Sequence, residues 1–230
     1  MLAHVPPTMP AMYAAVLWDF GGVILSSPFE AFNRYEVQRG LPIDFLRTVN
    51  ATDPHNNAWA RLERNDISPA EFDEAFATDA IALGHRVSGG EVLALLSGDV
   101  RPDMVDALDK VKAAGYRTAC LTNNISGEHA SAERSETISA IMARFDAVIE
   151  SSKVGVRKPE PKFYEIACET LGVQPKDCVF LDDLGINLKP AAAMGMHTIK
   201  VLSSTQAITD LEAALGISLR RPATCSCRGK

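Results

Sequence analysis

Two adjacent carboxylates that follow a short apolar run give the strongest indication of chemistry in this chain. The run is Val179–Leu181, and the carboxylates are Asp182 and Asp183. An uninterrupted apolar run of this kind is typical of a parallel strand that is buried on both faces. Because ligands of open α/β sheets bind beyond the carboxyl ends of such strands, we expect Asp182 and Asp183 to lie at a metal site.

Two further apolar runs end at polar side chains in the same manner. Ala14–Trp18 stops at Asp19, and Thr118–Leu121 stops at Thr122 and Asn123. The first run supplies another carboxylate, whereas the second supplies a hydroxyl and an amide. Three strands are therefore expected to bring polar groups to one edge of a parallel sheet.

A lysine in a proline-rich turn completes the set. Lys158 stands within the segment 156–161, where it can lie over the same sheet edge. Taken in this order over about 165 positions, the four segments resemble the haloacid dehalogenase superfamily of aspartate-nucleophile hydrolases. Segments 149–161 and 179–196 are most similar to the N-terminal phosphatase domain of soluble epoxide hydrolases, and a similar domain precedes some acyl-CoA dehydrogenases. We expect the domain to stand alone in this chain.

The resemblance implies a nucleophile and a cofactor. Asp19 is the implied nucleophile, which would form an aspartyl-phosphate during hydrolysis. Mg²⁺ is the implied cofactor, because attack of a carboxylate on a phosphoryl group needs its negative charge neutralised. The implied ligands are Asp19, the Gly21 carbonyl and Asp182, and either Asp183 or Asn187 would reach the metal directly or through water.

The resemblance also implies residues that bind the phosphoryl group. Thr122 and Asn123 would donate hydrogen bonds to its oxygens, and Lys158 would supply positive charge as negative charge shifts during transfer. The implied substrate is a small phosphorylated metabolite.

Gly21 departs from the pattern of most phosphatases of the superfamily. They carry a second aspartate two residues after the nucleophile, and this aspartate acts as general acid and base. Such groups commonly contribute about a hundred- to ten-thousand-fold in rate. The absence of this aspartate would be consistent with a slow enzyme, a substrate with a good leaving group or a substitute base. The candidates for a substitute base are His55, Glu30 and His129.

Two alternatives to a phosphatase remain open at this point. A metal-independent dehalogenase would use Asp19 to displace halide, but it would not be expected to keep the Asp182–Asp183 pair. A phospho-ligand-binding or interaction module would bind its ligand with little turnover, because Gly21 replaces the usual aspartate. Asp19→Asn abolishes activity under both hydrolase hypotheses, whereas the binding hypothesis expects no turnover in the intact protein.

Composition narrows the classes of partner. The chain has 230 residues, of which 47% are hydrophobic, and its formal net charge is −6. This charge argues against nucleic acid or an anionic membrane as the main partner, since both favour clustered Lys and Arg. No apolar stretch approaches the roughly 20 residues of a membrane-spanning helix, and Met1–Met12 lacks the pattern of a signal peptide. We therefore expect a cytoplasmic protein.

The cysteines fall into two groups. Cys120, Cys168 and Cys178 lie in apolar surroundings and are expected to be reduced core residues. Cys225 and Cys227 lie near the carboxyl terminus, where no apolar periodicity is found. Two thiols are too few for a structural zinc site.

The periodicity of apolar residues predicts an α/β fold with a doubly wound, Rossmann-like parallel sheet and an inserted α-helical cap. Helices are predicted over 29–39, 45–49, 58–62 and 68–82 in the cap, and Ser68 and Glu71 are expected to form a capping box at the start of the last one. Helices alternate with strands from residue 101 onward, and one of these helices is predicted over 161–171. The predicted organisation is an N-terminal extension over 1–13, a core over 14–25 and 98–218, a cap over 26–97 and a disordered tail over 219–230.

Overall fold

The fold is built on one parallel sheet of five strands. The computed structural model describes residues 13–96, 98–124 and 132–220, apart from the side chains of Glu30 and Ala132. The strands are β1 Ala15–Trp18, β2 Arg117–Thr122, β3 Ala147–Glu150, β4 Cys178–Asp182 and β5 His197–Lys200. Their order in the sheet is β3-β2-β1-β4-β5, which places β1 at the centre.

Helices cover the sheet and form a separate cap. The cap helices are α1 Phe29–Arg39, α2 Phe45–Ala51, α3 Ala58–Glu63, α4 Pro69–Ala82 and α5 Gly89–Ala94. The remaining helices are α6 Pro102–Ala113, α7 Ala132–Met142, α8 Ser151–Val154, α9 Pro161–Leu171, α10 Gly185–Ala193 and α11 Ser204–Leu215. The α/β class with a Rossmann-like parallel sheet, predicted from the alternation, is confirmed.

The burial of the central strand β1 on both faces explains why its sequence is a continuous apolar run. All four residues of β1 are fully buried, because β1 pairs with β2 on one side and β4 on the other. Alternate side chains enter opposite cores: Val16 and Trp18 pack with α6 and α11, whereas Ala15 and Leu17 pack with α9 and α10. A strand buried on both faces has no polar side for solvent, so its sequence does not alternate.

The cap has its own apolar core. Phe32, Leu46, Phe72 and Phe76 are almost completely buried within it. Helix α4 begins as predicted, because Ser68 and Glu71 form a reciprocal capping box. Helix α5 was not placed by the sequence analysis, since it begins with two glycines, which disfavour a helix.

A carboxylate of α4 compensates for this weak start of α5. Asp73 accepts hydrogen bonds from the Ser88 hydroxyl (2.6 Å) and from the Gly90 N–H (3.0 Å), which fixes the first turn. Because this contact spans 15 or more positions, local sequence could not reveal it.

Two linkers join the cap to the core side by side. The Ser26 N–H donates to the Asp99 carbonyl at 2.8 Å, and the Asp99 N–H donates to the Ser26 hydroxyl at 2.9 Å. Gly98 is required here, since a Cβ at this position would lie 2.4 Å from the Ser26 carbonyl oxygen. The cap is therefore attached by a paired, closely packed connection.

The alternation after residue 101 predicts a strand over residues 145–149, and this strand begins later than expected. Phe145 is buried but lies in a turn, and β3 starts at Ala147. The Asp146 carboxylate accepts the Thr118 N–H at 2.8 Å and the Thr118 hydroxyl at 3.1 Å. This side-chain contact holds the turn outside the sheet ladder.

The end of the core also differs from the predicted boundary. Leu219, assigned to the tail, is 2% exposed and packs in the core beside α11. Its N–H donates to Glu212 at 2.7 Å, and its carbonyl accepts the Lys110 ammonium at 2.7 Å. An isolated apolar residue after a helix has no periodicity, so the sequence pattern missed this anchor.

Some predictions concern residues outside the described ranges. They are those for His129, for the side chain of Glu30, for Cys225 and Cys227, and for residues 1–12 and 221–230. Among the described residues, the helices are all too short or too polar to cross a bilayer.

Candidate active site

Three carboxylates meet where the central strands end. Asp19 directly follows β1 and Asp182 is the last residue of the neighbouring β4. Each of Asp19, Asp182 and Asp183 offers an oxygen, and the three oxygens lie within 4.8 Å of one another. The parallel register of β1 and β4 brings these residues together, as expected from the two apolar runs.

The turn after β1 is shaped to receive Asp183. Gly22 has φ +76°, and a Cβ there would lie 2.2 Å from the Asp183 Oδ2 atom. Only glycine combines this left-handed backbone with such a close approach. The Asp183 carboxylate also accepts the Ser27 hydroxyl at 3.1 Å, so the first cap linker contacts the cluster.

Lys158 pairs with two of the three carboxylates. Its Nζ lies 2.7 Å from the Asp19 Oδ1 and 2.8 Å from the Asp182 Oδ2, and the residue is 1% exposed. Burial alone would lower the pKa of Lys158, but the charges of Asp182 and Asp19 outweigh it and raise that pKa above its ordinary value. Lys158 is therefore a permanent cation at the site.

The site carries more negative than positive charge. Burial raises the pKa of Asp19 well above its usual value, Lys158 opposes this rise, and Asp182 and Asp183 add to it. Burial, followed by the charge of Asp182, also raises the pKa of Asp183 to about 6. If all three carboxylates are ionised, they and the one lysine sum to −2, and this buried all-oxygen set fits a hard divalent cation such as Mg²⁺.

Asp19 is held by one of its two oxygens. Its Oδ1 accepts the Phe20 N–H at 2.6 Å in addition to the Lys158 ammonium. These two donors fix the plane of the carboxylate. The Oδ2 atom takes part in neither contact, which leaves it for other chemistry.

The structure places the Asn187 side chain against Asp182. Its Nδ2 lies 3.1 Å from both carboxylate oxygens of Asp182, and the Leu184 N–H donates to the Asp182 Oδ1 at 2.8 Å. The backbone of Asn187 is itself fixed, because the Tyr164 hydroxyl donates to the main-chain carbonyl of Asn187 at 2.6 Å. Asn187 thus orients a carboxylate of the cluster, and its predicted contact with a metal stays a prediction.

Asn123 holds the backbone of the lysine. Its Oδ1 accepts the Lys158 N–H at 2.9 Å, and its Nδ2 donates to the Lys158 carbonyl at 2.9 Å and to Glu63 at 3.0 Å. The side-chain amide is therefore engaged on both its oxygen and its nitrogen. Its predicted hydrogen bond to a phosphoryl oxygen stays a prediction.

Sequence analysis missed Glu63, which links the cap to this site. Glu63 lies at the end of α3, and its carboxylate accepts hydrogen bonds from the Trp59 indole (2.8 Å), from Asn123 and from the Arg157 Nε. The ion pair of Glu63 and Arg157 is nearly closed to solvent, with side chains 8% and 12% exposed. Since Asn123 and Arg157 are 60 and 94 positions away from Glu63, no local pattern marks this link between cap and core.

A cleft of about 1190 Å³ opens above the cluster between core and cap. It is lined on the core side by Asp19, Gly21, Thr122, Asn123, Lys158, Asp183 and Asn187. Asp182 is fully buried beneath this surface. Trp59 lines the cleft from the cap, whereas His55 is exposed and does not line it, so His55 is poorly placed as a substitute base.

The family of the chain follows from its match to a family model. The model of haloacid dehalogenase-like hydrolases matches residues 13–195, which include the carboxylates, Thr122 and Lys158. The chain belongs to this hydrolase family. The resemblance stated from the sequence is therefore confirmed, and the protein is a haloacid dehalogenase-like hydrolase.

Several larger proteins contain a region similar to this hydrolase. Acyl-CoA dehydrogenase family member 10 of Mus musculus is 34% identical over 212 residues, covering 90% of the chain and 20% of that protein. Bifunctional epoxide hydrolase 2 of Rattus norvegicus is 35% identical over 227 residues, covering 91% of the chain and 40% of that protein. The hydrolase thus spans between about a fifth and two fifths of the length of these relatives.

Solved structures confirm the fold of the hydrolase. A haloacid dehalogenase family enzyme of Bacteroides thetaiotaomicron, in complex with magnesium and inorganic phosphate, superposes with a TM-score of 0.54 at 21% identity. The match covers 82% of the chain and 93% of that enzyme. L-2-haloacid dehalogenase of Xanthobacter autotrophicus gives a TM-score of 0.55 at 22% identity, covering 92% and 90% of the two chains.

We predict that Glu63→Gln loosens the cap. The substitution keeps the size of the side chain but leaves the Arg157 cation buried without its counter-charge, which commonly costs about 3–5 kcal/mol. Denaturant unfolding should show a loss of this order. The control is Glu91→Gln, which removes an exposed cap carboxylate paired with Arg39 and should cost under about 1 kcal/mol. Equal effects of the two substitutions would contradict the role given to Glu63.

We predict that Asp183→Asn removes a pH-dependent loss of stability from the metal-free hydrolase. The pKa of Asp183 is raised from 3.8 to about 6, so the folded state holds this proton more tightly than the unfolded state. The contribution of this proton to the free energy of unfolding is fully present below pH ~4 and is lost as the pH rises through ~6. Unfolding in chelator at pH ~4.5 and ~7.5 should show that the wild type loses about 2 kcal/mol more than the variant. Identical pH dependence would contradict the raised pKa.

Proposed function

We propose that this hydrolase is a Mg²⁺-dependent phosphatase of small phosphorylated metabolites that acts through an aspartyl-phosphate. The observation that carries the proposal is the buried cluster of Asp19, Asp182 and Asp183 around Lys158. When its three carboxylates are ionised, this cluster carries a net charge of −2 and would repel a phosphate ester unless a divalent cation were bound. Asp19, Asp182, Asp183 and the Gly21 carbonyl are the groups that would hold the ion.

The residues of the chain divide the chemistry among them. The Asp19 Oδ2, which is free of the contacts that fix Oδ1, attacks phosphorus, the bond from phosphorus to the leaving oxygen breaks, and that oxygen takes a proton from water. Water then cleaves the aspartyl-phosphate, which restores the Asp19 carboxylate and releases inorganic phosphate. Lys158 keeps its charge next to Asp19, and Thr122 lines the cleft. Mg²⁺, when bound, supplies positive charge that offsets the negative charge of the phosphoryl oxygens.

The cluster also favours this function over a metal-independent dehalogenase. Displacement of halide by a single aspartate needs no further buried acids, yet Asp182 and Asp183 are kept here at the cost of repulsion and desolvation. A metal-dependent reaction accounts for that cost.

The location that we propose is cytoplasmic, which is supported by the buried Cys120, Cys168 and Cys178, whose thiols form no disulfide.

The first test is phosphate release from a panel of sugar, aryl, lipid and nucleotide phosphates with and without Mg²⁺. We expect metal-dependent turnover that Asp19→Asn abolishes, because the amide is a poor nucleophile. Direct binding of Mg²⁺ should be measured on the same preparations. Absence of turnover on the whole panel, with Mg²⁺ still bound, would contradict the phosphatase and support a phospho-ligand-binding module. Turnover of 2-haloacids in chelator would support the dehalogenase.

Gly21 gives a second test, because it leaves room for the missing general acid. Its backbone has an ordinary conformation (φ −68°, ψ 134°), and a Cβ there would meet no atom within 4 Å. We predict that Gly21→Asp raises turnover of alkyl phosphates by about tenfold or more, since a proton donor then assists the poor leaving group. Aryl phosphates with good leaving groups should gain much less.

Gly21→Asn is the matched control for this substitution. It has nearly the same shape as aspartate but does not transfer a proton at neutral pH. Turnover of alkyl phosphates by this variant should stay near the wild-type value. An equal gain with Asn and Asp, or no gain with Asp, would contradict the assignment of Gly21 as the vacant acid/base position.

A further inference from the structure

Two buried polar atoms on one face of helix α2 have no hydrogen-bond partner. They are the Arg47 Nε and the Asn50 Oδ1, and both residues line the cleft. Residues three positions apart lie on the same face of a helix. Within the described residues a third such atom is the Trp18 Nε1, which lies in the core.

Unpaired buried polar atoms need a physical explanation. Each commonly costs about 1–3 kcal/mol, and native structures contain few of them. Two such atoms, on residues three positions apart that both line the substrate cleft, are explained if a ligand completes their hydrogen bonds. An acceptor on the ligand would satisfy the Arg47 N–H, and a donor on the ligand would satisfy the Asn50 carbonyl.

Arg47 is anchored but keeps the capacity to bind an anion. Its guanidinium carbon lies 4.0 Å from the centre of the Phe29 ring, which holds the side chain in place. Its Nη1 lies 3.3 Å from the carboxylate of Asp44, and both side chains are partly exposed, at 39% and 52%. Because exposed ion pairs are weak, the contact with Asp44 leaves the Arg47 guanidinium able to bind a further anion.

The surroundings of the pair differ from the rest of the cleft. The cap wall is otherwise largely apolar and includes Phe29, Phe32, Trp59 and Leu96. The core side binds the phosphate in the proposed function. A ligand that fills the cleft would therefore have a phosphate at one end, an apolar body and a polar group that reaches Arg47 and Asn50.

On the basis of the proposed function, we propose that Arg47 and Asn50 form a cap subsite that recognises the leaving group of the substrate. The group bound by Arg47 is an oxyanion, a carboxylate or a second phosphate, since the planar guanidinium matches such groups with two parallel hydrogen bonds. The group bound by Asn50 is a hydroxyl next to that oxyanion. The substrate class is thus a phosphomonoester with a second anionic end.

The test is calorimetric binding of phosphonates, which the enzyme cannot hydrolyse, to the full chain with Mg²⁺. The reference ligand is benzylphosphonate, and the probes carry a 4-carboxylate, a 4-phosphonomethyl group, or a 4-carboxylate with a 3-hydroxyl. We expect the wild type to bind at least one oxyanion probe about tenfold more tightly than the reference, since hydrogen bonds to charged groups are commonly worth at least this much. The more tightly bound of the first two probes identifies the oxyanion.

Variants assign the preference to the cap subsite. Arg47→Gln should remove the preference for the oxyanion and leave binding of benzylphosphonate unchanged, and Asn50→Ala should remove only the gain from the hydroxyl. Arg39→Gln is the matched control, because Arg39 pairs with Glu91 and does not line the cleft. Arg39→Gln should retain the preference. Thermal unfolding checks that each variant is folded.

Two outcomes would overturn the cap subsite. One is a wild type that binds all probes and the reference equally, and the other is a preference that persists in Arg47→Gln. If Arg47→Gln does not fold, Arg47→Lys replaces it. Lysine keeps the positive charge but lacks the planar guanidinium, so Arg47→Lys should weaken the preference for the oxyanion. Oxyanion preference without phosphate release from any ester would leave the cap subsite standing and contradict the phosphatase.

Discussion

The concentration of negative charge at the carboxyl ends of the two central strands is the constraint on which the site depends. Asp19, Asp182 and Asp183 meet there, and Lys158 pairs with Asp19 and Asp182 at 2.7 and 2.8 Å. Burial raises the pKa values of Asp19 and Asp183, so the folded chain bears a cost when these groups ionise. Such stored cost is typical of functional sites, where a ligand relieves it.

Much of the surrounding structure serves to hold these four side chains. Asn187 and the Leu184 N–H orient Asp182, while the Asn123 amide fixes the backbone of Lys158. The cap contributes through Glu63, which contacts Asn123 and Arg157 next to Lys158. The position of the cap and the geometry of the lysine are therefore coupled by direct contacts.

The sequence predicted the parts of this arrangement that depend on local pattern. Strand ends, the helix over Pro161–Leu171 and the capping box at Ser68 follow from periodicity and turn chemistry, and parallel strands bring their ends to one edge. Glu63, the side-chain contacts of Asn123 and the anchoring of Leu219 could not be predicted. They depend on partners distant in the chain, and a glutamate at the end of a helix is ordinarily solvated.

Titration of the metal-free protein with Mg²⁺ by calorimetry, with thermal unfolding of the same samples, tests the central claim most directly. The account predicts that one ion binds per chain, that the unfolding temperature rises with Mg²⁺ concentration, and that Na⁺ at matched ionic strength has no such effect. Asp182→Asn should abolish both responses, because it removes the buried carboxylate at the centre of the cluster. A wild type that neither binds Mg²⁺ nor gains stability from it would contradict the account.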